Sequence, residues 1–267
     1  MNIAIIGGGV MGEAIISGLI AKGHATPGSI TVSDIDQNQL QRLQNEYKVY
    51  CLSDNIRAVE GKDLVVLSVK PQVFGAISDE LSSSLQDEQL VLSIMAGTRI
   101  DTLKHQLKHD SIVRVMPNTP AQIGEGMSVW TATDSVSDQQ KGLAQTTLST
   151  LGKEIYVADE KYLDMATAVS GSGPAYIFLV IESMIDAGVH IGMSREMSTE
   201  LVLQTVLGTA RFAQASNRSV AELRNMVTSP GGTTAEALFE LEKSSLRASL
   251  DQAIIAAYRK AQSLGEE

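Results

Sequence analysis

Ile3-Ala4-Ile5-Ile6-Gly7-Gly8-Gly9-Val10-Met11-Gly12 opens the chain, with Glu13-Ala14-Ile15-Ile16-Ser17-Gly18-Leu19 behind it. The unbroken apolar run reads as a strand covered on both faces. The glycines that follow have the spacing G-x-G-x-x-G. Gly7 permits a tight turn, Gly9 lets the backbone approach a pyrophosphate, and Gly12 allows close packing of helix on strand. The helix N-terminus adds free N–H groups and the positive end of a dipole. A glycine turn alone carries little weight. Strand, loop and helix in this order, at the head of a βαβ pattern, point to a dinucleotide.

Outward from this loop, β-rich runs are predicted over residues 2–6, 30–32, 49–52, 64–69, 90–94, 112–116, 127–130 and 154–157. Helical segments fall between them at 12–22, 38–47, 73–83, 99–108 and 138–151. Past Asp159 the strand signal stops, and helices are predicted over 174–191, 194–215, 220–226, 234–243 and 246–264. Gly188 and Gly192 both read as stops for the first of these, and Ser194 as the start of the next. The expected architecture is α/β: an N-terminal Rossmann-like doubly wound sheet, residues 1–158, followed by an all-α C-terminal domain, residues 159–267.

With 267 residues, 43% hydrophobic and 19% charged, the chain can bury a large core and is too apolar to be disordered. A formal charge of −10 argues against nucleic acid, whose phosphates such a surface repels. Cys51 is the single cysteine, which fits a reducing compartment. Met1-Asn2 leads into the first strand with no basic, cleavable leader, and the longest apolar run elsewhere, Ala175–Ile181, is too short for a bilayer. The expectation is a soluble cytoplasmic chain with no membrane partner.

Asp34 closes the second strand, where a carboxylate accepts hydrogen bonds from ribose hydroxyls and repels a 2′-phosphate. No Arg or Lys stands in the five residues after it. Asp36 reads equally as a cap for the helix near Asn38. Ser68-Val69-Lys70-Pro71 and Met116-Pro117-Asn118-Thr119-Pro120 both follow strands, at the sheet edge where ligands bind, and are expected near the cofactor. Ser170-Gly171-Ser172-Gly173-Pro174-Ala175-Tyr176 opens the first long helix of the second half. Ser229-Pro230-Gly231-Gly232-Thr233-Thr234 leads into another; its N–H groups and hydroxyls suit a carboxylate, or equally a helix cap with a tight turn. His24, His105, His109 and His190 are scattered, His105 and His109 on what reads as a solvated helix face, so no metal is expected. No nucleophile elbow or Cys–His pair appears, which leaves the chemistry to a cofactor.

Together these motifs resemble pyrroline-5-carboxylate reductase, in the family's order and spacing and over essentially the whole chain. The SGSGPAY and SPGGTT segments are the most specific of them. The resemblance implies reduction of 1-pyrroline-5-carboxylate to L-proline, the last step of proline synthesis, with NADPH or NADH as cofactor. By position it implies cofactor contacts at Ile6, Gly7, Gly8, Gly9, Val10, Met11, Asp34, Asn55, Ser68, Val69, Lys70, Pro71, Ile94, Met95 and Ala96. It assigns the substrate carboxylate to Ser229, Gly232 and Thr233, the ring nitrogen to the catalytic candidate Thr234, and the substrate–nicotinamide region to Glu160. It further implies a homodimer through the helical domain, in many members assembled into a decamer, with a partner subunit completing the site. Two departures stand out. Asp34 occupies a place where NADPH-preferring members commonly carry a small hydroxyl residue, which shifts the expectation toward NADH. Asn225 replaces an aspartate frequent before the substrate loop.

Two rivals remain to be weighed. A 3-hydroxyacid dehydrogenase of this layout places a lysine four residues after the last glycine of its G-S-G segment; here Ile177 stands there. A non-catalytic dinucleotide sensor would not require the Ser229–Thr234 loop, which is intact.

Overall fold

The computed structural model describes residues 1–265. It divides into two compact units, Met1–Ser172 with the chain from Ala257 onward, and Gly173–Ala256. The predicted boundary at 158/159 does not coincide with this division. By packing, the first unit continues to Ser172.

In that unit β1 (Ile3–Ile6), β2 (Ile30–Ser33), β3 (Tyr50–Leu52), β4 (Leu64–Leu67), β5 (Leu90–Ser93), β6 (Ile112–Met116), β7 (Gly126–Ala132) and β8 (Gly152–Tyr156) form one sheet. Its order is β3-β2-β1-β4-β5-β6-β7-β8, and all the predicted strands are present. Neighbours run parallel except β6 and β7, which are antiparallel, so the sheet is mostly rather than wholly parallel. The double-proline turn after β6 is a short 3₁₀ helix, Thr119–Ile123.

Helices α1 (Val10–Ala21), α2 (Gln37–Tyr47), α3 (Asn55–Val59), α4 (Phe74–Leu81), α5 (Ile100–Leu107) and α6 (Asp138–Ser149) cover both faces. Alternation along each strand sorts its side chains between them. Ile3, Ile5, Leu64 and Val66 pack with Ile15, Ile16 and Leu19 of α1, Leu43 of α2 and Leu148 of α6. Ala4, Ile6, Val65 and Leu67 pack with Val59, Phe74, Leu81 and Leu103 of α3, α4 and α5. Every residue of β1 and β4 is at most 1% exposed, as strands roofed on both sides must be. Each fully buried Ile or Leu contributes about 1.5–3 kcal/mol. His109, just beyond α5, is a correction to the sequence reading: it is buried, and its Nε2 donates to the Gln89 carbonyl at 2.8 Å.

After β8 comes α7 (Lys161–Ala166), then a π-helical turn, Thr167–Gly171, in which Ser172 N donates to the Thr167 carbonyl at 2.7 Å. Neither α3 nor α7 is marked by the sequence pattern.

The second unit holds α8 (Gly173–His190), α9 (Arg195–Ala215), α10 (Val220–Met226), α11 (Thr233–Lys243) and the start of α12 (Leu246–Leu264). Ser194 caps α9 by accepting from Met197 N at 3.2 Å, as expected. Gly192, at φ +108°, ends α8. Gly188 does not: it lies inside α8, where a Cβ would come within 2.1 Å of Ser198 Oγ on α9. The Ser198 hydroxyl donates to the Ile185 carbonyl at 2.8 Å, so this glycine serves helix–helix approach rather than termination. No residue of α8 is buried, and Ile177, Phe178 and Leu179 are more than half exposed. The helical run Lys161–His190 reaches a mean hydropathy of 1.4 and is long and apolar enough to cross a membrane by length and composition. The stretch exceeds Ala175–Ile181 because α7 and the π turn Thr167–Gly171 lead directly into α8.

Candidate functional site

The loop between β1 and α1 lies where strand order reverses, β1 having β2 on one side and β4 on the other. Gly7 takes φ +99°, and a Cβ there would sit 2.4 Å from the Ser68 carbonyl oxygen. A Cβ on Gly12 would come within 2.2 Å of the Gly7 oxygen. Gly9 is the opposite case: exposed, with nothing within 4 Å of where its Cβ would be. Gly9 is also the N-cap of α1, and no side chain caps that helix. Its first N–H groups are thus without a side-chain cap, an arrangement that fits a pyrophosphate.

Asp34 is fixed to this loop. Its Oδ2 accepts from Gly8 N at 2.7 Å and its Oδ1 from Asp36 N at 2.9 Å. Asp36 caps α2, accepting from Asn38 N at 2.9 Å, so the capping reading holds for that residue. Gln39, which sequence reasoning missed, donates from Nε2 to the Gly8 carbonyl.

The other expected cofactor residues gather at the carboxyl ends of β4 and β5 and the start of α3. Ladder pairs Ile6↔Leu67 and Leu67↔Ser93 bring Ile6, Ser68 and Ile94 to one edge. Ser68 N donates to the Ile6 carbonyl at 2.8 Å, and Ile94 N to the Leu67 carbonyl at 3.1 Å. Val69 and Lys70 lead into a 3₁₀ turn opened by Pro71; Met95 is buried and Ala96 exposed. Asn55 donates to Glu80 Oε2 at 2.8 Å.

Asn118 lies in the turn after β6, at the N-cap of the short 3₁₀ helix. Its Oδ1 accepts from Met127 N at 2.8 Å and its Nδ2 donates to the Ser170 carbonyl at 3.0 Å. It ties β7 to the π turn, and both ends of its amide are used within the protein.

Glu160 belongs to the first unit. Its Oε1 accepts from Arg114 Nη1 at 2.7 Å and from Ile100 N, the first residue of α5, at 2.8 Å. Arg114 Nη2 also lies 3.5 Å from Asp164 Oδ1, and the arginine is 3% exposed. The signal for this cluster was present in the sequence: one arginine inside the strand Ile-Val-Arg-Val-Met, which requires a buried counter-charge.

Ser229, Gly232, Thr233 and Thr234 lie in the second unit, at the start of α11. Gly231 takes φ +66°, and Gly232 N donates to the Ser229 carbonyl at 3.1 Å. Gly232 is the N-cap of α11, again with no side-chain cap, and a Cβ on it would meet Ser229 Oγ at 2.4 Å. The loop thus presents the first N–H groups of a helix beside the Ser229 hydroxyl. Among the described residues no cluster of His, Cys, Asp and Glu could hold a metal ion.

Residues 2–97 match the family model described as NADP oxidoreductase coenzyme F420-dependent, and residues 160–264 the one described as pyrroline-5-carboxylate reductase dimerisation. The pyrroline-5-carboxylate reductase of Pseudomonas aeruginosa is 41% identical over 100% of this chain and 97% of its own. A pyrroline-5-carboxylate reductase structure from Coxiella burnetii superposes with a TM-score of 0.91 at 38% identity, covering 98% of both chains. The Plasmodium falciparum pyrroline carboxylate reductase, solved with NADP bound, gives a TM-score of 0.91 at 32% identity, over 99% of this chain and 98% of that one. With this fold, this glycine loop and these relatives, the chain belongs to the pyrroline-5-carboxylate reductase family, the NAD(P)H-dependent oxidoreductases that reduce 1-pyrroline-5-carboxylate to proline.

Proposed function

We propose that residues 1–158 hold the dinucleotide and residues 159–267 provide dimerisation and substrate binding. One observation carries this reading. Helices α1 and α11, one in each unit, both start on a glycine N-cap with no side chain over their first N–H groups. That geometry receives an anion without a cationic side chain. The first anion is the dinucleotide pyrophosphate, on Ile6 to Met11, with Asp34 accepting from the ribose hydroxyls. Asn55, Ser68 to Pro71 and Ile94 to Ala96 complete the cofactor contacts. The second is the substrate carboxylate, held by Ser229 and by the backbone of Gly232 and Thr233.

The bound dinucleotide supplies the hydride. The chain's own task is to orient the cyclic imine, and alignment of two reactants is worth on the order of 7–11 kcal/mol. The Thr234 hydroxyl holds the ring nitrogen and steadies the protonated imine. Glu160, fixed by Arg114 and Ile100, is the further residue assigned to the substrate.

The occupant proposed for the exposed apolar face of α8 is a second copy of this chain, giving a homodimer with a decamer as its higher assembly. This reading takes the run Lys161–His190 as a subunit interface, and the protein as cytoplasmic. Recovery in the membrane fraction after cell lysis would remove it.

The function is tested by absorbance at 340 nm with pyrroline-5-carboxylate and either dinucleotide. Rapid oxidation of NADH or NADPH is expected. Folded protein that binds dinucleotide yet oxidises neither would favour the sensor reading.

A further inference from the structure

The end of β2 carries a hydrogen-bonded chain that reaches well beyond Asp34. Gly8 is bracketed, its N–H given to Asp34 and its carbonyl taken by Gln39 Nε2. Gln39 Oε1 in turn accepts from Arg42 Nε at 3.3 Å. Arg42 is the only basic residue on α2, and so the cation that this element could offer to a phosphate on the ribose. Its guanidinium is already occupied: Nη1 donates to Glu13 Oε1 at 2.7 Å and to Glu46 Oε2 at 3.2 Å, while Nη2 donates to Glu13 Oε2. Tyr47 donates to the same Glu13 carboxylate at 3.1 Å.

We infer that this chain is built for NADH, with Glu13 a specificity determinant beside Asp34, because Glu13 withholds Arg42 from a ribose 2′-phosphate. The inference rests on the reading of Ile6 to Met11 as the pyrophosphate loop. Asp34 keeps lone pairs free to accept from ribose hydroxyls, but a 2′-phosphate would bring a second anion against a carboxylate pinned by two N–H groups. Discrimination against the 2′-phosphate usually turns on whether an arginine stands there to neutralise it. Here the arginine is present and paired to carboxylates on two helices. The Arg42 guanidinium holds the Glu13 carboxyl below its ordinary range. Both side chains are partly exposed, 44% for Arg42 and 23% for Glu13, so the pair is one that a single substitution can open.

The test is equilibrium binding, read from nicotinamide fluorescence on titration of the purified protein with NADH or NADPH in the absence of imine. NADH is expected to bind at least about 10-fold more tightly, a gap that narrows with added salt because it is a charge effect. Glu13→Gln should strengthen NADPH binding relative to NADH by about 3- to 10-fold, and the double variant Glu13→Gln/Arg42→Gln should lose that gain. Asp34→Asn, which keeps an acceptor and sheds the charge, should shift the ratio further in the same direction. Equal or tighter NADPH binding by the unaltered protein would overturn the inference while leaving the phosphate loop in place. An unchanged ratio in Glu13→Gln would remove Glu13 from it. Failure of the folded protein to bind either dinucleotide would take down the loop reading, and the inference with it.

Discussion

In the sheet unit, β1, β4 and β5 are sealed from solvent along their whole length, whereas α8 and α11 of the helical unit contain no buried residue. Phe178, Leu179, Leu201, Phe212 and Phe239 are each about half exposed or more. The two units are made of comparably apolar material, yet only the first finds cover within its own chain. A parallel strand recruits its roof from the crossover helix that follows it. Helices without a sheet have no such built-in partner, and an apolar surface of this kind marks an interaction site. If that surface is a subunit interface, the stability of the helical unit is linked to association and so to protein concentration, whereas that of the sheet unit is not.

The sharpest way to break the self-sufficient half is Arg114→Met. It leaves Glu160 and Asp164 facing each other without their cation, at a cost of about 3–5 kcal/mol in urea unfolding. A variant as stable as the parent would show the cluster to be dispensable. Thr234→Ala probes the other half: kcat should fall by about 10²- to 10³-fold with the fold intact by circular dichroism. Unchanged turnover would take Thr234 out of the mechanism. Phe178→Glu tests the reason given for the contrast. Sedimentation velocity should show subunit affinity weakened by at least about 30-fold, with amide protection in β1 and β4 preserved. Loss of protection in the sheet instead would mean that the first unit also leans on assembly. The smallest effect is expected at Ser128, whose hydroxyl is buried with no hydrogen-bond partner among the described residues. Ser128→Ala should raise stability by up to about 1 kcal/mol, read as a higher melting temperature; a lower one would reveal a partner for that hydroxyl.

The contrast also explains which features were legible in advance. All eight strands and the glycine turn after β1 followed from residue pattern, most plainly β1, β4 and β5, because strands buried on both faces must be continuous apolar runs. The Ser194 cap and the Gly192 stop were equally local, each decided by one side chain or one φ. Gly188 and Gly192 look alike in sequence, and only the crossing of α9 over α8 assigns one to close packing and the other to termination. His109 looked solvated because its neighbours in sequence are polar, but its environment is set by Gln89, twenty residues away. Nothing near Asn118 in sequence reveals that Met127 and Ser170 hold its amide.

By itself, then, the sequence determined everything that rests on short-range chemistry: the strand–glycine–helix entry, the alternation that makes a doubly wound sheet, and the glycine turn at Ser229–Thr234 that opens α11. The tertiary structure decided the pairings between distant residues. It gave Arg114 its carboxylates, set Asp34 against Gly8, and placed Arg42 in the hold of Glu13. The reason is physical. Backbone conformation and capping depend on neighbours a few residues apart, whereas a buried or paired charge is defined by whichever group the fold brings within about 4 Å of it.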